Sequence, residues 1–179
     1  MLRSRVGSLV TLSNMAEDLQ VSPKTAKSWL EVLERMYLIF PVYPYTRNIP
    51  RAVLKPPKVY FYDNGDVIGD KGAVFENLVA AGIIKRLHFL EDRDGYRYEL
   101  RYIRDKEGRE VDFAIIKDGN LESIIEVKYG DESISKSLAY YTEKLCPENS
   151  VQITANLKHP YDSGGIRVTD PLTYFSNFF

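Results

Sequence analysis

Metal chemistry built on thiolate or imidazole has almost nothing to work with in this chain, which holds one cysteine, Cys146, and two histidines, His88 and His159. Zinc sites draw on three or four such ligands, and a lone thiol rules out an internal disulfide. Any metal must therefore be held by oxygen. Long apolar runs are missing too: none approaches the roughly 20 residues that cross a bilayer, and the N-terminus lacks the charged-then-apolar order of a signal peptide. The expectation is a cytoplasmic protein without a membrane partner. A large charge of one sign is also absent. With 24 Lys/Arg against 25 Asp/Glu the formal charge is −1, so no global field draws in nucleic acid and any such contact has to be local. The local balance is uneven, since residues 1–66 carry nine Lys/Arg against six Asp/Glu and residues 67–179 carry fifteen against nineteen.

What is present suffices for a real core, with 44% hydrophobic residues in 179, enough for one ordinary domain or two small ones. Leu12, Met15, Ala16 and Leu19 recur at helical spacing until Val21-Ser22-Pro23 interrupts them. A second helix begins there. Ser22 is a good N-cap, Pro23 suits the first helical position, and Ala26, Trp29, Leu30, Leu33 and Met36 are expected to form one apolar stripe. This is the order of a helix-turn-helix, in which the start of the second helix reaches bases and phosphates. Lys24, Thr25, Lys27 and Ser28 are the candidates. Strand-like runs at Leu38-Ile39-Phe40-Pro41-Val42-Tyr43 and Val59-Tyr60-Phe61-Tyr62 flank a basic loop that adds Arg47 and Arg51, completing the order of a winged helix. Small winged domains also serve as protein-docking modules, so DNA and protein both remain open as partners of this segment.

Turn-rich sequence at 64–72 divides a winged helix-turn-helix (1–66) from a second domain (67–179). A helix from Ala73 to Ile84 opens the second domain and is nearly all small or apolar, apart from Glu76 and Asn77. As a structural residue, Glu76 would offset the positive end of the helix dipole, worth about 0.3–1 kcal/mol. Three strands, Tyr96–Arg104, Glu110–Lys117 and Leu121–Tyr129, are joined by Asp- and Gly-containing turns and should form an antiparallel meander. A helix over Ser133–Leu145 and a strand over Val151–Thr154 complete an α-β-β-β-α-β order, an α/β (α+β) fold.

Alternation puts Asp112 on one face of its strand with Glu110 and Ala114, and Glu126 on one face with Ile124 and Lys128. On neighbouring strands Asp112 and Glu126 can converge on one metal, with Lys128 beside them. Mg2+ prefers carboxylate oxygens and retains several waters, so one or two acidic side chains plus a substrate phosphate make a sufficient site. A cross-strand salt bridge is the alternative that needs no metal.

The series Glu76, Val111-Asp112-Phe113 and Ile125-Glu126-Val127-Lys128 resembles the PD-(D/E)-x-K nuclease superfamily, whose restriction-endonuclease-like core has this α-β-β-β-α-β order. Together with Pro44-Tyr45, Pro57-Lys58-Val59-Tyr60-Phe61-Tyr62-Asp63 and Gly72-Ala73-Val74-Phe75-Glu76-Asn77, it resembles more narrowly the C-terminal region of archaeal and bacterial AAA-type ATPases, in which a winged helix precedes a nuclease-like domain. The resemblance implies Asp112 and Glu126 as ligands of Mg2+ (or Mn2+), Lys128 as the catalytic lysine, Glu76 as an accessory acid near the metal, and a structural role for Asp63. No Gly-x-x-x-x-Gly-Lys-Ser/Thr phosphate loop occurs here, so no ATPase is expected within these residues, and the chain is expected to be a piece of a longer protein or the product of a split gene. The leading expectation is a DNA-binding, Mg2+-dependent deoxyribonuclease. Against it stand an inactive DNA- or protein-binding module that docks an AAA-type ATPase partner, and a structural remnant that binds no metal.

Overall fold

The computed structural model describes residues 1–46, 56–130 and 133–176. The chain divides into two compact units, Met1–Pro44 with Asn48–Ala81 and Tyr45–Arg47 with Gly82–Phe179.

In the first unit a short 3-10 turn, Leu2–Ser4, precedes α1 (Leu12–Leu19), which starts where Thr11 accepts a hydrogen bond from the Asn14 N–H and ends at Gln20 in the left-handed region, φ 54°. Helix α2 (Pro23–Arg35) begins as expected, with the Ser22 hydroxyl accepting from the Thr25 N–H at 3.1 Å and proline in the first turn. Its apolar stripe is largely uncovered. Only Ala26 of the anticipated stripe is buried; Leu30 and Leu33 are half-buried, and Trp29 and Met36 are 48% and 64% exposed. The helical period holds, but among the described residues of this unit too few side chains face α2 to cover so wide an apolar arc.

Strands β1 (Ile39–Pro44) and β2 (Lys58–Phe61) pair antiparallel with Ile39 opposite Phe61 and Val42 opposite Lys58. The segment before α1 lies along β2, through a bridge from Leu9 to Lys58 and a bond from Val10 N–H to Pro57 O at 2.8 Å. Met15, Ala26, Ile39, Val42, Val59 and Tyr60 form the buried centre of this unit.

Helix α3 (Lys71–Asp94) is capped by Asp70, whose Oδ1 accepts from the Ala73 N–H at 2.8 Å, and runs ten residues past the expected end at Ile84. Near its start, fully buried Asn77 accepts from the Phe61 N–H at 2.8 Å and donates to the Phe61 carbonyl at 3.1 Å. One amide thereby satisfies both backbone groups of a strand residue.

The second unit is built on a mixed sheet of order β3-β4-β5-β6-β8-β7. Strands β3 (Tyr98–Arg104), β4 (Glu110–Lys117) and β5 (Asn120–Lys128) make the anticipated antiparallel meander, and its second turn places Asp118 and Gly119 at positive φ, 46° and 81°. A crossover through α4 (Lys136–Leu145) brings β6 (Asn149–Thr154) parallel to β5. Two further strands, β7 (Tyr161–Ser163) and β8 (Ile166–Thr169), and the short helix α5 (Pro171–Ser176) were not anticipated; β8 runs parallel to β6 and pairs antiparallel with β7. Leu138 and Tyr141 of α4 pack on Ala114, Ile124, Ile166 and Val168, so α4 covers the sheet face that carries these residues. Architecture is therefore mixed α/β, and among the described residues no helix is long and apolar enough to cross a membrane.

Candidate functional site

The charged end of β5 meets the start of β4. Phe113 stands opposite Ile125, the last pair of their register, and Asp112 and Glu126 follow it on the two strands. The Asp112 carboxylate turns along the strand: its Oδ2 accepts from the Val127 N–H at 2.9 Å. Glu126 is 5% exposed, with its Oε1 2.8 Å from the Lys128 ammonium, while Lys128 is half-exposed. Among the described residues the second carboxylate oxygen, Oε2 of Glu126, is buried without a hydrogen-bond partner. A buried, unmatched charged oxygen costs on the order of 1–3 kcal/mol or more, so a structure that retains one invites a ligand.

Asp112, Glu126 and Lys128, three of the four expected site residues, thus lie together. The structure places the fourth, Glu76, in the first unit. There the Tyr60 hydroxyl donates to Glu76 Oε1 at 2.6 Å, the Lys58 ammonium lies 3.7 Å from the same oxygen, and a side chain at Gly7, whose φ is +70°, would come within 2.7 Å of it. Tyr60 and Lys58 are both buried. These contacts account for a carboxylate in an otherwise apolar helix turn, and a sequence reading could not have anticipated them because they span 16 and 18 residues of chain.

Among the described residues no group of three or more His, Cys, Asp or Glu side chains is placed to hold a metal ion. A two-carboxylate pair remains, which fits a hard cation that keeps most of its waters and does not fit zinc. The donor set and the unmatched Glu126 oxygen both suit Mg2+ or Mn2+.

Gln152 is the site neighbour that the sequence reading passed over. It lies on β6 in parallel register with Glu126 and is wholly buried. Its Oε1 accepts from the Ser135 N–H at 2.9 Å, and its Nε2 donates to the Ser133 carbonyl at 2.9 Å and to Thr154 Oγ1 at 3.5 Å. The available signal was a lone polar residue between Val151 and Ile153.

At the hairpin joining β3 to β4, Arg109 donates to Asp105 Oδ2 at 2.6 Å through its side chain and at 2.9 Å to Oδ1 through its backbone N–H. Desolvation pushes the Asp105 carboxyl up, but hydrogen bonds from Arg109 and Tyr141 outweigh it and hold the group down at about 2. Burial and the same Asp105 carboxylate push the Tyr141 hydroxyl up to about 12. The Arg109 guanidinium also lies 4.1 Å from the centre of the Tyr140 ring.

Of the residues expected to meet nucleic acid, Lys24, Lys27 and Ser28 are exposed. Lys27 lies 3.7 Å from Glu31, and half-buried Thr25 shares a 2.8 Å hydroxyl contact with Ser22. Arg47 and Arg51 lie outside the described residues. A cavity of about 560 Å³ in the first unit is lined by Val10, Leu30, Glu31, Glu34, Ile39 and Pro57 among others, and neither Asp112 nor Glu126 belongs to it. The case for the carboxylate site is chemical and does not rest on concavity.

Residues 1–67 match the family described as Domain of unknown function (DUF8612), and residues 71–170 match that described as Domain of unknown function (DUF4143). The latter is commonly found in the C-terminal region of AAA-ATPase-like proteins. No curated protein and no solved structure matches the chain. Since the second match takes in more than half of the residues, the protein belongs to the DUF4143 family.

Proposed function

We propose that the second unit is a divalent-metal-dependent nuclease domain that hydrolyses phosphodiester bonds in DNA, and that the first unit, as a winged helix, presents the DNA. The observation that carries this reading is the buried Glu126 oxygen, unmatched among the described residues, on a carboxylate that pairs with Lys128 and adjoins Val127, whose N–H Asp112 accepts. Asp112 and Glu126 would hold Mg2+ or Mn2+, and the bound cation would lower the pKa of water and offset charge on the phosphate. The chain's own residues do the rest. Val127 N–H fixes the Asp112 carboxylate. Lys128, anchored by Glu126 yet half-exposed, reaches towards solvent where a phosphate would lie and stabilises the negative charge that grows on its oxygens. Lys24, Lys27 and Ser28 would contact the DNA backbone.

Linear, single-stranded and branched DNA incubated with the protein and Mg2+ or Mn2+ should be cut, and Asp112→Ala or Lys128→Ala should reduce cleavage by at least about 100-fold. Absence of cleavage, or variants as active as the parent, removes the enzymatic reading. DNA binding should weaken between 50 and 200 mM salt and be lost on joint Lys24→Glu and Lys27→Glu substitution.

One observation favours a second reading, an inactive module that docks an AAA-type ATPase. The outward side of α2 and the chain just after it expose Trp29, Val32, Met36, Tyr37 and Leu38, which suits protein contact better than a phosphate backbone. Trp29 is the only tryptophan, so its fluorescence reports directly. A blue shift with an ATPase partner and none with DNA would select this reading.

A further inference from the structure

Gln152 presents a problem of its own. Burying a primary amide in the middle of a sheet is unfavourable unless its donors and acceptor are matched, and an apolar residue would pack there more simply. Here both ends of the amide are used, and two of the three partners are backbone atoms of one short segment, the Ser133 carbonyl and the Ser135 N–H. Ser135 is also the N-cap of α4, its hydroxyl accepting from the Leu138 N–H. Gln152 therefore clamps the turn that launches α4, and it does so one strand away from Glu126, in direct register on the same face. The clamp thus fixes the start of α4 against the residue paired with Glu126, whose Oε2 is buried and, among the described residues, unmatched. Without it the Gln152 amide would lose its anchors and the side chain beside Glu126 would be free to turn.

We propose that Gln152 is the positioning residue of the carboxylate site: anchored by Ser133 and Ser135, it stands beside Glu126 and holds that carboxylate in the geometry that accepts a divalent cation. This rests on the metal-site reading above and adds to it a residue that touches neither cation nor substrate. Such supporting contacts typically change metal affinity by about 10- to 100-fold.

The test is Mn2+ affinity, read by the paramagnetic signal of free Mn2+ in titrations of the full chain, alongside the amide exchange rate of Ser135. Gln152→Met keeps size and apolar packing and removes every bond of the clamp. It should bind Mn2+ at least about 10-fold more weakly than the parent, with faster exchange at Ser135. Ser135→Pro attacks the clamp from its other end. The φ of Ser135 is −58°, which proline adopts without strain, and the substitution deletes the N–H that Gln152 accepts. It should lower affinity in the same direction, and it carries the test should Gln152→Met fail to fold. Parent-like affinity in a folded Gln152→Met, or in Ser135→Pro where that variant carries the test, overturns the positioning role and leaves the metal site standing. No Mn2+ binding by the parent overturns the site itself and this role with it.

Discussion

The two units solve the same problem, holding a small sheet against helices, with different materials. In the first, polar side chains bind the core: Asn77 matches both backbone groups of Phe61, and Lys58, Tyr60 and Glu76 form a largely buried cluster. In the second, large apolar side chains fill the core, with Phe113, Ile115, Ile124, Ile125, Ile153 and Leu138 wholly or almost wholly buried, and the buried polar residues include Glu126 and Gln152, paired on neighbouring strands. The difference separates two carboxylates. Glu76 is matched by Tyr60 and Lys58 and adds bonds to the fold; Glu126 Oε2 is unmatched among the described residues, and the fold gains nothing from that atom.

The strongest way to break this contrast is to carve the apolar core. Ile124→Ala should cost about 2–5 kcal/mol, seen as a lower denaturation midpoint, and a loss under 1 kcal/mol would mean that the sheet is less tightly packed than described. Asn77→Ala in the first unit should cost about 2–3 kcal/mol, since it strands the Phe61 N–H and carbonyl in a buried place. Glu126→Gln has the opposite sign. Without metal it should stabilise the protein by about 1–3 kcal/mol while weakening Mn2+ binding, and a destabilised variant would show that the carboxylate serves the fold after all. The mildest effect concerns pH. Asp105 is held at about 2, below its ordinary 3.8, so its contribution to stability is complete above pH 3.8 and is lost as pH falls towards 2. Asp105→Asn should flatten the stability curve in that window and lower stability by one constant amount at every pH above it, neutrality included.

Much of this was legible beforehand because it is periodic or local. Ser22-Pro23 announces α2, Asp118-Gly119 announces a tight turn, and alternation alone places Glu126 and Lys128 on one face of β5. The remainder depends on distant partners. The second half of α3, Lys85–Asp94, is highly charged and gives no apolar signal strong enough to extend the helix. Strand β7 is three exposed residues, Tyr161, Asp162 and Ser163, which become a strand only because β8 lies beside them. Neither the clamp of Gln152 nor the attachment of Glu76 to Tyr60 and Lys58 leaves a mark on local sequence. The wide stripe of α2 shows the converse failure: its period was plain, but period does not say whether anything is available to cover it.

Between β1 and β2 the chain belongs briefly to the other unit. Tyr45, just past β1, donates its N–H to the Tyr102 carbonyl at 2.6 Å, and its side chain packs on the aliphatic cluster of the second unit. The polypeptide consequently changes unit three times rather than once. No single cut yields two intact halves: a fragment beginning at residue 67 forfeits Tyr45, and a protease acting within 64–72 severs the backbone yet leaves the N-terminal piece carrying a residue of the C-terminal core. Division of this protein into independently expressed parts is a matter of threading as well as of boundaries.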